Sequence, residues 1–523
     1  MITIIAEKPS VARQISRVVG ATQRKVGYYG GNGYCVTWAF GHLIQLAMPE
    51  AYGVTGFRRE SLPIIPKEFL LIIRNNLKGD EELSLNEQVY TIKNLFEHSE
   101  YIIVATDAGR EGELIFRYVY QYLDCHTPFK RLWISSLTDK AIKEGLDSLR
   151  DGHEYDNLFL AAKARSEADW LVGINATQAL TIAAGRGTYS LGRVQTPTLA
   201  MVCHRFLENK NFKPTKFWQM HFTTEGDGKA VKFQTAERWN DKETAESLYQ
   251  QLKGNKSVVI SKVECKEKTE EPPLLYDLTA LQKDANVKYG FTAEQTLAIA
   301  QKLYEAKAIT YPRTSSRYIP DDVFDEISKL LRTLEDNEQW GALSMTIRKP
   351  NPEVVRDLKP FEHHAILITG EKLEHPSNDD KRIYDLIVRR MLEALSEDCE
   401  KEQRSVRMLN AGLQFTVKGI TVYKAGWRFI AGEGLEERSL PAWNEHRQIV
   451  YHGCGVNMCH TTPIPLHTEA TLLGEMNAKC NKADIIEQLI TEGKIIRLNT
   501  QMIPTPKGMA AYAQILKEKY KIK

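Results

Sequence analysis

The sequence lacks the features that mark membrane, secreted and zinc-ribbon proteins. No apolar run reaches the roughly 18 residues that a membrane-spanning helix needs, and the N-terminus, MITIIAEKPSVARQ, contains no apolar core with a cleavage site. The 8 cysteines are dispersed along the chain, which is typical of reduced intracellular thiols and not of a disulfide framework. Paired CxxC motifs are absent, and CGVNMCH is the only close cysteine pair. We therefore expect a cytoplasmic protein without a membrane anchor or a zinc site.

An excess of charge of one sign is also missing. The chain has 69 lysines and arginines against 67 aspartates and glutamates, a net charge of +2. An anionic partner must therefore be bound by local patches and not by a basic tail. Internal repeats and low-complexity segments are absent as well. Because 523 residues exceed what one hydrophobic core organises, several domains are expected.

Two segments share a strand, an acidic turn and an amphipathic helix. In MITIIAEKPSVARQISRVVG, Glu7 follows the strand; in YIIVATDAGREGELIFRYVYQYL, Asp107, Glu111 and Glu113 follow strand 101–105. Such units predict a parallel sheet, and ligands collect at the carboxyl ends of its strands. Clustered carboxylates repel one another unless a cation compensates them, and hard oxygen ligands suit Mg²⁺. The alternative is that these acids only complement the dipoles of helix N-termini.

A tyrosine lies between a predicted helix and a proline in AITYPRTSSRY. The preceding FTAEQTLAIAQKLYEAKA predicts the helix, with Thr292 and Gln295 at capping-box spacing. The following proline biases Tyr311 towards an extended conformation, in which Arg313 points to the same side as the phenol. A phenol beside a guanidinium suits attack on a phosphate, because the cation stabilises charge on the oxygens. The alternative is a tyrosine packed against a loop with surface arginines.

These segments together resemble the type IA DNA topoisomerases, in the topoisomerase III branch. AEKPSVA and ATDAGREGELIFR resemble the Toprim domain, and ITYPRTSSRY resembles the segment with the active-site tyrosine. The resemblance continues in family order through VTWAFGHLIQLAMPEAYG, RLWISSLTDKAI, ARSEADWLVGINAT, SLGRVQTPTL, FEHHAILIT and HTEATLL. It implies an enzyme that breaks one DNA strand through a 5′-phosphotyrosine, passes another strand and reseals the break without ATP.

The resemblance implies a catalytic role for five residues. Tyr311 would be the nucleophile, and Arg313 would clamp the scissile phosphate. Lys8 would be the cation beside the leaving 3′-oxygen, and Glu7 would be an acid, a base or a metal-linked carboxylate. His363 would hydrogen-bond the phosphate, with the adjacent histidine as the alternative, because along an extended chain only one of the two faces the site.

The resemblance also implies a cofactor, a substrate and partners. Glu7, Asp107 and Glu111 would hold Mg²⁺. The substrate would be single-stranded DNA or an underwound duplex, bound by a monomer that works with a helicase or a single-strand-binding protein. The DNA would be contacted by a set of groove residues: Asp169, Thr177, Arg186, Ser190, Leu191, Gly192, Arg193, Val194 and Gln195. Thr196 is the expected N-cap of the helix that follows them, with Pro197 at its first position.

The expected fold is multidomain, with α/β and α+β parts closed into a ring. It combines an N-terminal Toprim domain with a parallel sheet, helical domains of winged-helix type and a β-rich arch. The predicted domains are 1–150 (Toprim), 151–215 with 467–523 (helical, DNA-binding), 216–279 with 405–466 (β arch) and 280–404 (helical, with Tyr311). Glu264–Pro273 is the expected flexible linker.

Departures from the family pattern leave rival functions open. Gly109 stands where the family has a second aspartate, and a glycine- and threonine-rich stretch near the C-terminus is shortened to MNAKCNK. A natural short form, a degenerate paralogue and a trimmed chain are all compatible with these departures. One rival is therefore a catalytically weakened subunit that binds single-stranded DNA. The other is a nuclease or primase-like Toprim enzyme, which would share Glu7 and Asp107 but would not need Tyr311.

Overall fold

The computed structural model of the protein describes residues 1–74, 85–185, 187–358, 363–432, 439–476 and 482–521. In these ranges, no helix is both long enough and apolar enough to cross a lipid bilayer. Arg186, one of the groove residues predicted to contact DNA, lies outside the described residues.

The N-terminal unit is built around a seven-stranded mixed sheet with the strand order β2-β3-β4-β1-β7-β8-β9. β1 pairs in parallel with both β4 and β7, so it lies at the centre. Its β-branched residues are buried on both faces, as expected for a parallel strand covered by helices. The strands are β1 (Ile2–Ala6), β2 (Gln23–Lys25), β3 (Tyr28–Gly31), β4 (Tyr34–Trp38), β5 (Ile44–Leu46), β6 (Leu71–Ile73), β7 (Tyr101–Ala105), β8 (Phe129–Arg131) and β9 (Arg150–Asp151), with β5 and β6 forming a separate pair.

Helices follow both central strands, which confirms the two predicted strand–acidic turn–helix units. α1 begins with Pro9, whose ring is preorganised for a first helical position. It ends at Gly20, which has the left-handed conformation (φ 78°) that glycine adopts without strain. The helices of this unit and the next are α1 (Pro9–Val19), α2 (Leu85–Glu97), α3 (Arg110–Tyr122), α4 (Asp139–Asp147), α5 (Asp156–Ala184) and α6 (Gln195–Asn211).

The β-rich part is a closed six-stranded barrel with the order β10-β11-β14-β13-β12-β15. Phe222, Phe233 and Phe415 fill its interior and are at most 1% exposed. The predicted flexible linker Glu264–Pro273 is wrong over most of its length, because residues 264–270 pair with residues 399–405. The elements are β10 (Lys216–Gly226), β11 (Lys229–Thr235), α7 (Lys242–Gly254), β12 (Ser257–Glu270), β13 (Cys399–Asn410), β14 (Leu413–Lys424) and β15 (Gln448–His460).

The unit that contains Tyr311 is inserted between β12 and β13. The chain leaves the barrel at Glu270 and returns at Cys399, and these two residues are paired in the β12–β13 ladder. The capping box of Thr292 and Gln295 at the start of α9 is present as predicted. The helices are α8 (Leu278–Tyr289), α9 (Ala293–Glu305), α10 (Asp321–Arg332), α11 (Gly341–Ser344), α12 (Asn378–Ala394) and, after β14, α13 (Trp427–Ala431).

The C-terminal part, residues 467–476 and 482–521, closes a circuit of contacts, and we call it the wing. It packs on α6 through a shared apolar cluster that includes Val202 and Leu489. It also touches the inserted unit, where Glu469 accepts a 2.7 Å hydrogen bond from the backbone of Ala293. The inserted unit in turn shares one apolar cluster with the N-terminal sheet, so the expected ring is present. The last elements are α14 (Glu469–Glu475), α15 (Lys482–Thr491), β16 (Ile495–Leu498), β17 (Gln501–Pro504) and α16 (Pro506–Lys521).

Candidate active site

Two carboxylates meet at the carboxyl ends of the central strands. Ala6 of β1 pairs with Ala105 of β7, so Glu7 and Asp107 leave the sheet side by side; we call them the carboxylate pair. Glu7 accepts a hydrogen bond from the backbone N–H of Asp107. Burial, and then the Asp107 charge, raise the pKa of Glu7 to about 7. Burial also raises the pKa of Asp107. Burial therefore favours the protonated form of both carboxylates, and the Asp107 charge adds to this effect at Glu7.

A buried arginine fixes the turn that contains Asp107. The Arg131 side chain, 1% exposed, donates 2.8 Å hydrogen bonds to the backbone carbonyls of Thr106 and Asp107. Its charge is matched by Glu113, 3.2 Å away, which also pairs with Arg117 at 2.8 Å. Glu113, which the sequence grouped with the acidic turn, therefore forms buried ion pairs with two arginines where α3 meets the sheet. Sequence reasoning missed Arg131, since one arginine in an apolar run gives no signal of its partners.

Tyr311 comes from the inserted unit and completes the site from the opposite side. Its backbone N–H donates to the carbonyl of Ser135 at 3.0 Å, and its ring lies between those of Tyr304 and His363, at centroid distances of 5.4 and 4.3 Å. Its hydroxyl donates a hydrogen bond to Asp107. Burial first, and then the negative charges of the carboxylate pair, raise the pKa of Tyr311 well above its usual value. The nucleophile candidate is therefore a neutral phenol with a proton acceptor already in contact.

The two adjacent histidines face different surroundings. His363 stacks on Tyr311, and its Nδ1 is 3.2 Å from the Ser135 hydroxyl. Burial lowers the pKa of His363 to about 3, so the ring is neutral at physiological pH. His364 instead turns back to the carbonyl of Ala365, 2.7 Å from its Nδ1. The structure therefore places His363, and not His364, beside Tyr311.

Two cations act on the carboxylate pair. Lys8 and Arg313 both lower the pKa values of Glu7 and Asp107 by their charge, against the larger effect of burial. Arg313 is exposed, whereas the Lys8 ammonium is 3.1 Å from the carboxylate of Glu305 in the inserted unit. The other arginine of the tyrosine segment, at position 317, donates to the backbone carbonyls of residues 274 and 275 and has a structural role.

The third carboxylate predicted to bind Mg²⁺ does not join the other two in this conformation. Glu111 lies at the start of α3, is 60% exposed and is 3.7 Å from His42. Within the part of the chain that the structure describes, no three His, Cys, Asp or Glu side chains are grouped closely enough to hold a metal ion. The carboxylate pair itself fits a hard divalent cation, because two buried, mutually repelling carboxylates gain from one.

Most groove residues predicted to contact DNA are engaged with one another. Arg193 forms a bidentate pair with Asp169, at 2.6 and 3.1 Å. The Thr177 hydroxyl accepts from the backbone N–H of Leu191 at 2.9 Å. The Thr177–Leu191 hydrogen bond holds the loop before α6 against α5. The Arg193 guanidinium is already paired with the Asp169 carboxylate and would have to leave it to bind a phosphate.

The rest of this loop is tied to the C-terminal wing. Ser190 and Gln195 both donate to Glu492, at 2.9 and 2.8 Å, and Lys494 donates to the Ser190 hydroxyl at 2.7 Å.

The predicted helix start is wrong by two residues. α6 begins at Gln195 with Val194 as N-cap residue, while the Thr196 hydroxyl accepts from the backbone of Gly192 at 3.1 Å.

Comparison with known proteins identifies the family. The family model described as DNA topoisomerase matches residues 153–523, and that of the Toprim domain matches residues 3–137. The DNA topoisomerase 3 of Shouchella clausii is 38% identical over 509 residues, which cover 93% of this chain and 68% of that protein. The DNA topoisomerase 3 of Bacillus subtilis is 36% identical over 549 residues, covering 97% and 74%.

A solved structure has the same fold. The full-length topoisomerase I of Thermotoga maritima superposes with a TM-score of 0.74 at 24% sequence identity, covering 99% of this chain and 83% of that one. The likeness therefore extends through the sheet, the barrel, the inserted unit and the wing. Since one family model alone spans residues 153–523, the chain belongs to the type IA DNA topoisomerases and is topoisomerase III-like.

Proposed function

We propose that this enzyme cleaves one strand of DNA by attack of the Tyr311 hydroxyl on a backbone phosphate. The observation that carries the proposal is the hydrogen bond from that hydroxyl to Asp107. It joins a phenol of the inserted unit to a carboxylate at a strand end of the sheet. A structural tyrosine would not require an ionisable acceptor with a perturbed pKa in a buried interface.

The bond changes follow from the arrangement of these groups. Asp107 accepts the phenolic proton as the Tyr311 oxygen attacks phosphorus, and a 5′-phosphotyrosine bond forms while the P–O3′ bond breaks. Glu7, whose pKa of about 7 keeps it partly protonated at neutral pH, donates the proton that the leaving 3′-oxygen needs. Lys8 and Arg313 stabilise charge on the phosphate. Resealing is the same sequence in reverse, so no ATP is consumed.

Strand passage requires the site to come apart between cleavage and resealing. Tyr311 belongs to the inserted unit and the carboxylate pair to the N-terminal sheet. The covalent bond would hold the 5′ end of the broken strand on the inserted unit, while the 3′ end would be held by non-covalent contacts on the N-terminal side. Moving the inserted unit away would open the ring, and a second strand could then pass. The neutral His363 and the phenol leave this interface without a buried unpaired charge on the Tyr311 side.

Mg²⁺ is the cation that the carboxylate pair would hold, with Glu111 able to join only after leaving His42. When bound, the ion supplies positive charge that relieves the repulsion between Glu7 and Asp107. Gly109 offers no further carboxylate at this turn, so we expect weak binding, largely through water.

The substrate that the loop before α6 favours is single-stranded DNA or an underwound duplex. Arg193 would exchange Asp169 for a phosphate, and the backbone of Gly192 allows close approach of the DNA. The same loop contacts Lys494 of the wing, whose buried charge is matched by Glu492 at 2.7 Å, so Arg193 is the cation of this loop that would meet the phosphate. Such a groove binds the backbone without reading base pairs.

A denaturing gel for covalent protein–DNA adducts tests this function. Wild type should trap a labelled single-stranded oligonucleotide, and Tyr311→Phe should trap none while binding it with affinity within about three-fold of wild type, because binding depends on phosphate contacts. Tyr304→Phe is the matched control, since it removes a neighbouring hydroxyl and should still form the adduct. An adduct with Tyr311→Phe, or none with wild type, would remove Tyr311 from the reaction and favour the nuclease or weakened-subunit alternatives.

A further inference from the structure

The last turn of α9 joins the inserted unit to the N-terminal sheet. Tyr304 closes a small pocket whose other walls, among them Val11, Ala105 and Leu137, belong to the N-terminal unit. Glu305 pairs with Lys8 at 3.1 Å. Lys307 pairs with Asp139 at the start of α4. Three of four consecutive residues therefore contact the opposite side of the interface that strand passage must open.

Glu305 is held in place independently of Lys8. Its carboxylate accepts a hydrogen bond from Gln301 at 3.1 Å, one turn earlier in the same helix. Its backbone carbonyl accepts from Gln14 of α1. The carboxylate is only 27% exposed, so its position beside Lys8 is set by these contacts and not by the free rotation of a surface side chain.

Besides the carboxylate pair, on which its charge acts, Lys8 has two further potential partners that compete for it. One is Glu305; the other is the scissile phosphate, if Lys8 has the catalytic role proposed above. The ammonium is carried on a flexible four-carbon stem and can therefore move from one neighbouring oxyanion to another. A phosphate arriving at Tyr311 would therefore draw Lys8 away from Glu305, and the interface would lose one of its ion pairs.

We propose that Glu305 is a positioning residue that holds Lys8 in the DNA-free closed ring and releases it to the phosphate, so that DNA engagement loosens the interface. This inference rests on the proposed role of Lys8. It predicts an effect opposite to that of most substitutions beside an active site. Removing the Glu305 charge should strengthen DNA binding, because Lys8 then has no ion pair with Glu305 to give up when DNA arrives.

A double-mutant cycle tests the inference, with all variants carrying Tyr311→Phe so that no cleavage disturbs the measurement. Binding of a short single-stranded oligonucleotide is followed by fluorescence anisotropy. Glu305→Gln should raise affinity about two- to five-fold, the range expected for a partly exposed ion pair. Lys8→Gln should weaken binding, and adding Glu305→Gln to Lys8→Gln should then change it by less than about 1.5-fold.

Asp139→Asn is the matched control. It neutralises one carboxylate of the neighbouring ion pair across the same interface, but its partner Lys307 has no proposed contact with the phosphate. It should leave affinity within about 1.5-fold. Glutamine at position 305 keeps the hydrogen-bond acceptor for Gln301, so folding should be preserved, which the melting temperature of each variant checks.

Three outcomes would overturn the inference. One is unchanged or weaker binding by Glu305→Gln, and another is an equal gain with and without Lys8, which would show only a general charge effect. The third is a Lys8→Gln variant that binds and forms adducts like wild type when Tyr311 is present. That result would also remove Lys8 from the proposed mechanism, whereas the first two would leave the mechanism intact.

Discussion

At the scale of single residues, the site depends on where one proton resides. Tyr311 cannot be ionised in advance, because burial and the carboxylate pair raise its pKa. If Tyr311 is the nucleophile, as proposed, its activation depends on Asp107, which already accepts its hydrogen bond. Removing that acceptor should therefore affect cleavage more than removing either cation.

Asp107→Asn tests this dependence together with the metal. An amide accepts a proton poorly and gives a cation no charge, so adduct formation should fall by about 100-fold or more, and relaxation of supercoiled DNA should need more Mg²⁺. Gly109→Asp, which adds a carboxylate to the same turn, should lower the Mg²⁺ requirement. Relaxation titrated against Mg²⁺ for the three proteins measures both effects, and superimposable curves would show that this acidic turn is not the functional metal site.

His363 gives the folded protein a pH dependence of known sign. The ring takes a proton near pH 6.5 in an unfolded chain but only at about 3 when buried here. The contribution of the neutral His363 ring to the free energy of unfolding is therefore fully present above about pH 6.5 and is lost progressively as the pH falls towards 3. Between pH 7.5 and 5, wild type should lose about 2 kcal/mol more than His363→Gln.

Thermal unfolding of both proteins at the two pH values measures the difference. The other titrating groups are common to wild type and variant and therefore cancel. An equal loss in both proteins would show that His363 is accessible to protons in the folded state.

The places of candidate site residues were predictable where the signal is local. Tyr311, Arg313 and the choice of residues at the two strand ends follow from short motifs. The pairing of Lys8 with Glu305 does not, because 297 positions separate them and each looks like an ordinary surface charge. The exact conformation of Glu111 was not predictable either, since its contact with His42 depends on how a separate loop packs.

At the scale of elements, individual strands and helices were predictable from the sequence, whereas the closure of the β-rich part into a barrel was not. The alternating patterns of β10 and β14 indicated a β-rich arch. That the arch closes into a barrel depends on the pairing of β10 with β15, more than 200 positions along the chain. No local pattern specifies that register. The same non-local pairing explains why a charged segment, residues 264–270, forms part of a strand and not a linker.

Glu270 anchors the root of the inserted unit. It ends β12, accepts from Arg428 of α13 at 2.6 Å and is 2.5 Å from Lys401 of β13. These two cations, Arg428 first, lower the pKa of Glu270 to about 2. Its stabilising effect is therefore present above pH 4.5 and is lost as the pH falls through about 2.

Glu270→Gln should destabilise the protein by about 1–2 kcal/mol at pH 7, a value reduced for solvent screening of this partly exposed cluster. The difference from wild type should shrink to nothing as the pH approaches 2. Denaturant unfolding at several pH values measures it. A difference independent of pH would show that the cost comes from lost packing and not from the charge.

At the scale of the whole molecule, the small net charge gives no sign of a DNA-binding surface. With a charge of only +2, affinity must come from a local groove. Single-stranded DNA affinity should therefore fall steeply with salt, with a slope of about 0.7 per phosphate neutralised. Arg193→Ala should reduce that slope by about 0.7, the amount expected for one phosphate contact, although Arg193 is paired with Asp169 in the free protein.

Anisotropy titrations at several salt concentrations measure the slope. Blunt duplex of equal length is the comparison, and it should bind more weakly at every concentration. Tighter binding of the duplex would contradict a groove made for a separated strand.

The paired residues Glu270 and Cys399 have a mechanical consequence. Both chain connections between the inserted unit and the barrel leave from the same residue pair at the end of the β12–β13 ladder. When DNA under tension pulls that unit away from the sheet, the load enters β12 and β13 together and in the same direction. Neither strand is drawn along the other, so the rungs between them are not sheared. If the inserted unit moves as proposed, the ring can therefore open repeatedly while the barrel stays folded.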